Sequence, residues 1–82
     1  MISVKTLFFA SLASICETAE TDLKLPDGAT VADALDLISQ NHHAFPPLRN
    51  TVATAVNMAY VKSDHVLQAN DELALIPPVS GG

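Results

Sequence analysis

Few groups in this sequence could do chemistry. They are a lone cysteine, three histidines (His42, His43, His65) and the closing run Pro77-Pro78-Val79-Ser80-Gly81-Gly82. The closing run carries the strongest expectation. A chain that stops at Gly82 presents a carboxylate on a tip with no side chains, able to enter a narrow channel. Pro77 and Pro78 stop any helix and hold the approach extended. Val79 to Gly82 would reach on the order of 13 Å when extended. A free carboxylate is a poor electrophile. As an acyl-adenylate it gains a good leaving group, and its carbonyl can then accept sulfur, giving a thiocarboxylate, or a lysine amine, giving an isopeptide. Both routes need an unhindered terminal carbonyl and a partner that supplies ATP chemistry.

The other groups offer less. Cys16 has no histidine or base beside it in sequence, so it reads as a small buried apolar residue rather than a reactive thiol. His42-His43 precede Ala44-Phe45-Pro46-Pro47 and read as part of a solvated loop. No pair at helical i, i+4 spacing and no Cys/His cluster suggests a metal site. Asp64-His65 reads as a turn that fixes its own backbone, with no nucleophile in sequence reach. Gly28, Gly81 and Gly82 do not make a phosphate-binding loop. No enzyme active site and no tightly bound cofactor is expected.

These groups must be positioned by one small domain. Eighty-two residues leave no room for a second core. A hydrophobic fraction of 49% is enough for a packed interior. Nine acids against four bases give a net charge of −5. The bases, Lys5, Lys24, Arg49 and Lys62, are scattered singly, which argues against nucleic acid and suits a partner with a basic pocket. A lone cysteine fits a reducing, cytoplasmic location. The apolar run from Leu7 to Cys16 resembles a weak leader, but it has one basic residue before it and no clean small-x-small site. It is also shorter than the ~20 residues of a membrane span.

Alternation sets the elements. Ile2 to Ala10 reads as a strand with Ile2, Val4, Thr6 and Phe8 on the core face. Its other face ends in Leu7 and Phe9, and a cover over that end is expected. Ser11 to Cys16 reads as a short helical turn. Thr21 to Leu25 reads as a second strand, closed by Pro26-Asp27-Gly28. Thr30 reads as a helix N-cap with Asp33 three residues on, before Val31, Ala34, Leu35 and Ile38 at helical spacing. The helix should end near Asn41. Thr54 to Val61, with Val56, Met58 and Tyr60 alternating, reads as a third strand. Asn70 suits a left-handed turn, and Glu72 to Ile76 is the last strand. The order indicates an α+β domain over residues 1–76 and a tail over 77–82.

Phe8-Phe9-Ala10, Ala55-Val56-Asn57, Asp64-His65 and the segment from Leu67 to Gly82 together resemble the small, sulfur-carrier subunits of molybdopterin synthase. The resemblance covers essentially the whole chain, and the tail is its most specific part. It implies a ubiquitin-like β-grasp fold: a mixed sheet of four to five strands, one main helix on one face and a protruding tail. It implies that Gly82 is adenylated by a ubiquitin-activating-like adenylyltransferase using ATP. Sulfur from a desulfurase or rhodanese-like donor would then replace AMP. The thiocarboxylate would enter the large synthase subunit, in a heterotetramer, and supply sulfur to a pterin precursor in molybdenum cofactor synthesis. Gly81 would let the tail thread the channel, and Ser80, Val79, Pro78 and Pro77 would line its entry. Phe9, Tyr60 and Ile76 align with the family's exposed apolar patch. The sequence departs from the family at Ala13-Ser14, where Arg-Glu is frequent. Tyr60 and Ile76 stand in place of Leu and Phe, and Asn70 in place of Gly. A carrier for thiamine thiazole synthesis, a ubiquitin-like modifier of lysines and a plain interaction domain are the competing readings. Thiazole carriers are shorter and lack the Pro-Pro-Val stalk.

Overall fold

The computed structural model describes residues 1–77. Their elements run β1 (Ile2–Phe8), α1 (Ser11–Ile15), β2 (Glu20–Leu25), α2 (Val31–Asn41), a 3₁₀ turn (Pro46–Leu48), β3 (Ala53–Val56), β4 (Ala59–Tyr60) and β5 (Glu72–Ile76). They form a five-stranded sheet in the order β2-β1-β5-β3-β4. The β1–β5 pair is parallel, with Lys5 opposite Glu72 and Phe8 opposite Leu75. The other neighbours are antiparallel. This is a mixed-sheet β-grasp, as the resemblance implies.

Alternation decides which side is buried. Val4, Thr6 and Phe8 of β1, Leu23 and Leu25 of β2 and Leu73 and Leu75 of β5 are buried. They meet Val31, Ala34, Leu35 and Ile38 of α2, so one helix covers one face. Thr6 is fully enclosed in this stack, and its hydroxyl has no hydrogen-bond partner among the described residues.

The helix starts where its sequence says. Thr30 Oγ1 accepts from the Asp33 N–H and the Asp33 carboxylate accepts from the Thr30 N–H, closing a capping box. The next free donors are met by the distant loop before Leu67. Val31 N–H reaches the His65 carbonyl at 3.0 Å and Ala32 N–H the Ser63 carbonyl at 2.9 Å. The Asp64-His65 turn thus fastens the helix as well as its own backbone. Arg49 closes the other side, paired with Asp36 and donating to the Ala32 carbonyl.

Four expectations need correction. The first strand ends at Phe8 rather than Ala10. Ala10 has φ 50° and ψ −129°, and Leu12 N–H bonds the Phe9 carbonyl at 3.0 Å. Those angles belong to the first central residue of a type II′ turn, which pulls the chain off the sheet. The run from Thr54 to Val61 is two strands joined by Asn57 and Met58, both at positive φ (51° and 73°). Such a two-residue loop matches strand twist. Met58 therefore leaves the alternation and stands at the hairpin tip. His42, expected with His43 in a solvated loop, is half-buried and packs edge-on against Phe8 with ring centroids 5.8 Å apart, and Phe45 just beyond is fully buried. Among the described residues nothing covers the apolar end of the outer β1 face, where Phe9 is 45% exposed.

Other local readings hold. Asn70 has φ 68° and Gly28 has φ 84°. α1 ends in a Schellman arrangement, with Thr18 N–H to the Ala13 carbonyl, Glu17 N–H to the Ser14 carbonyl and Glu17 at φ 58°.

The stranded Thr6 hydroxyl yields a test. Removing an unsatisfied buried hydroxyl recovers a desolvation cost of about 1–3 kcal/mol. Thr6→Val should therefore raise the midpoint of thermal unfolding, measured by circular dichroism. A lower midpoint would show that the hydroxyl is satisfied.

Candidate functional site: an apolar groove at the root of the tail

The parallel register sets the site. β1 and β5 end at the same side of the sheet, and the Phe9 N–H extends the ladder to the Leu75 carbonyl at 3.1 Å. Phe9 thus comes beside Ile76, on the face turned away from α2. Ile76 is also paired with Ala53 across β3. The next row of that face runs Tyr60, Ala55, Ala74, Leu7 and Glu20 through successive strand pairings. The two alanines are short, while Tyr60 and Leu7 flank them, so the row has a low floor between walls.

The result is a groove lined by Leu7, Phe9, Ala55, Met58, Tyr60, Ala74 and Ile76, with Glu72 at its edge. Tyr60 is 75% exposed and Met58 94%. Phe9, Tyr60 and Ile76, far apart in sequence, all line this one groove. Sequence reasoning passed over Leu7, Ala55 and Ala74 because their part is to be short or flanking, and over Met58 because it was placed inside a strand.

Along the strands the face changes character. The row beyond the groove is Glu72, Lys5 and Asp22. Lys5 is paired with Glu20 at 3.3 Å. Three acids and one base therefore border the groove on that side.

Pro77 follows Ile76 directly. With Leu12, Ile15, Leu48 and Val52 it lines an apolar notch between α1 and the 3₁₀ turn. The root of the closing run thus lies between the groove and the notch. Pro78, Val79, Ser80, Gly81 and Gly82 lie outside the described residues, as does most of the expected tail domain.

The hairpin that carries Met58 is fastened to the start of β5. Asn57 Nδ2 donates to Asp71 Oδ1 at 3.0 Å, and Asn57 Oδ1 accepts from the Glu72 N–H at 3.0 Å. Asp71 is buried, and its second oxygen accepts from the Gln68 N–H at 2.7 Å. One side chain therefore joins the tip of β3–β4 to the turn before β5, which fixes the Met58 wall of the groove.

The remaining reactive groups stand apart. Cys16 is buried, and burial pushes its thiol pKa up, away from a nucleophilic thiolate. Among the described residues no three His, Cys, Asp or Glu side chains gather as metal ligands. Among the same residues no helix is long and apolar enough to cross a membrane.

Comparison with known proteins adds the family. The ThiS family profile matches residues 6–82. The chain belongs to the ThiS family. It is 33% identical over 81 residues to the molybdopterin synthase sulfur carrier subunit of Arabidopsis thaliana, covering 99% of this chain and 84% of that protein. It is 35% identical to the subunit of the same name from Chlamydomonas reinhardtii, covering 99% of this chain and all of that one (100%). Among solved structures it is similar to the small archaeal modifier protein 1 of Haloferax volcanii, at 28% identity and a TM-score of 0.88. That match covers 96% of this chain and 100% of that one. The ubiquitin-like β-grasp is thus the fold of this ThiS-family chain.

The placement of Cys16 gives a direct check. In the native protein a thiol-reactive dye at neutral pH should label Cys16 at least tenfold more slowly than in the unfolded chain. Equal rates would show that Cys16 is open to solvent and chemically available.

Proposed function

We propose that this ThiS-family chain is the sulfur-carrier subunit of a molybdopterin synthase and that Gly82 is its working residue. The observation that carries the reading is the exposed groove of Phe9, Tyr60 and Ile76 at the strand end that leads into Pro77. A carrier needs a docking surface next to its reactive end, so that binding energy positions the carbonyl. The full-length similarity to subunits of that name supports the same reading.

In this mechanism the Gly82 carboxylate attacks the α-phosphorus of ATP on an adenylyltransferase partner, and pyrophosphate leaves. The outer sulfur of a persulfide on a desulfurase or rhodanese-like donor adds to the activated carbonyl and expels AMP, and a partner thiol then cleaves the acyl disulfide, leaving the thiocarboxylate on Gly82 and a disulfide on the partner side. The resulting thiocarboxylate is inserted into the large subunit, where its sulfur goes to the pterin precursor. The carrier itself supplies a placed carbonyl rather than acid–base catalysis. Gly81 keeps the path free of side chains, and Ser80, Val79, Pro78 and Pro77 form the stalk. No cofactor is held; ATP and the sulfur donor belong to the partners. The compartment that suits this chemistry is the cytoplasm.

A second reading has one observation in its favour, the similarity to an archaeal modifier protein. In that reading the same adenylate is captured by a lysine amine. Activation is common to both, so the acceptor separates them.

Incubation with ATP, the adenylyltransferase and a sulfur source should raise the intact mass by the difference between sulfur and oxygen. The gain should vanish when Gly82 is deleted or when one residue is added after it. A gain that survives either change would overturn the assignment to Gly82, and isopeptides on lysines without thiocarboxylate would favour the modifier.

Phe9→Asp tests the groove. The ring is partly exposed, so the variant should keep its far-UV circular dichroism. It should lose at least tenfold in affinity for the large subunit, a loss of about 1.4 kcal/mol. An unfolded variant would place Phe9 in the core instead.

A further inference from the structure

Met58 is the most exposed large apolar side chain among the described residues, at 94%. It also occupies a backbone conformation that suits glycine, with φ 73° in the two-residue loop of the β3–β4 hairpin. Asn57, its neighbour at φ 51°, belongs to a residue type that tolerates that region, and the usual companion of Asn in such a loop is Gly. Met therefore loses on two counts where it stands: its backbone is strained and its apolar side chain meets water. Nothing in the hairpin or the core uses that side chain. It lines the groove beside Tyr60.

We infer that Met58 is a partner-contact residue, kept at the expense of fold stability, and that it forms one wall of the docking surface for the large synthase subunit. The inference rests on the proposed carrier role. It goes further in naming a contact and the partner's chemistry. The wall is positioned by Asn57, which is bonded to Asp71 and to the Glu72 N–H. An unbranched thioether on such a mount adapts its shape to an entering apolar side chain. The charge pattern identifies what must surround that side chain. Glu72, Asp22 and Glu20 border the groove against Lys5, with Lys24 one row further along β2, in a chain of net charge −5. The occupant is thus a protein surface with an apolar projection and cationic side chains on the flank facing β2 and the start of β5.

The test uses the full chain and the purified large subunit, with affinity read by calorimetry and stability by thermal unfolding. Met58→Gly should raise the unfolding midpoint of the free chain by a few degrees, because glycine relieves the positive φ. The same variant should weaken binding by about tenfold, since it deletes the contact. Met58→Leu keeps an apolar side chain on the same backbone and should bind within about threefold of the parent. Raising the ionic strength should weaken parent binding.

Met58→Gly that binds as tightly as the parent would overturn the contact, and a lowered unfolding midpoint would overturn the strain. Tenfold weaker binding by Met58→Leu would overturn an adaptable apolar contact, because an apolar side chain on the same backbone would then not suffice. Binding indifferent to salt would overturn the cationic flank. Phe9→Asp separates the layers. If it too binds normally, or if the parent does not bind the large subunit, the carrier reading has failed. If Phe9→Asp fails to bind while Met58→Gly binds normally, only the role of Met58 has failed.

Discussion

The parallel pairing of β1 with β5 is the constraint on which the rest depends. Parallel neighbours cannot be joined by a tight turn; the chain must cross from one end of the sheet to the other. Here that crossing carries β2, α2, the 3₁₀ turn and the β3–β4 hairpin. The pair holds the centre of the sheet, so Val4 and Phe8 stand beside Leu73 and Leu75 over α2. It also makes both strands finish on the same side. An antiparallel pair would have sent Phe9 and Ile76 to opposite ends, and no groove could have formed at the entry to Pro77.

Everything added to that pair steadies one of its two faces. On the inner face α2 is held at its N-terminus by its own capping box and by carbonyls from the Ser63–His65 segment. Two distant parts of the chain thus satisfy donors that would otherwise be left open. On the outer face the fastening is Asn57, which ties the β3–β4 tip to Asp71 and Glu72. The inner face is sealed by the helix, and among the described residues the outer face stays open, apolar at the groove and charged beyond it.

The fold was legible where local chemistry and global role agree. Strict alternation in β1, the Thr30–Asp33 pair, and the left-handed Asn70 each announce what they do. Legibility ended where a residue departs from the usual type for its conformation. Asn57-Met58 lacks the glycine that marks a hairpin, so alternation read straight through it. Ala10 and Glu17 take turn positions that normally display Gly. Phe45 lies between histidines and prolines, a context that signals solvent, yet it is fully buried in the core, against which Leu48 of the 3₁₀ turn also packs. The groove was legible only through family resemblance, since nothing in the spacing of Phe9, Tyr60 and Ile76 brings them together. Register does, and register is a property of the whole sheet.

The position of β5 has a consequence for how the molecule comes into being. The central strand of the sheet is made after the four it unites. Until it emerges from synthesis, β1–β2 and β3–β4 are separate hairpins with half-buried faces, and a lone hairpin is marginal in water. Non-local pairing of this kind is slow and completes late. Assembly of the groove therefore coincides with completion of the fold: before β5 is in place, Phe9, Tyr60 and Ala55 have nothing to bring them side by side. An incomplete chain would have no such groove.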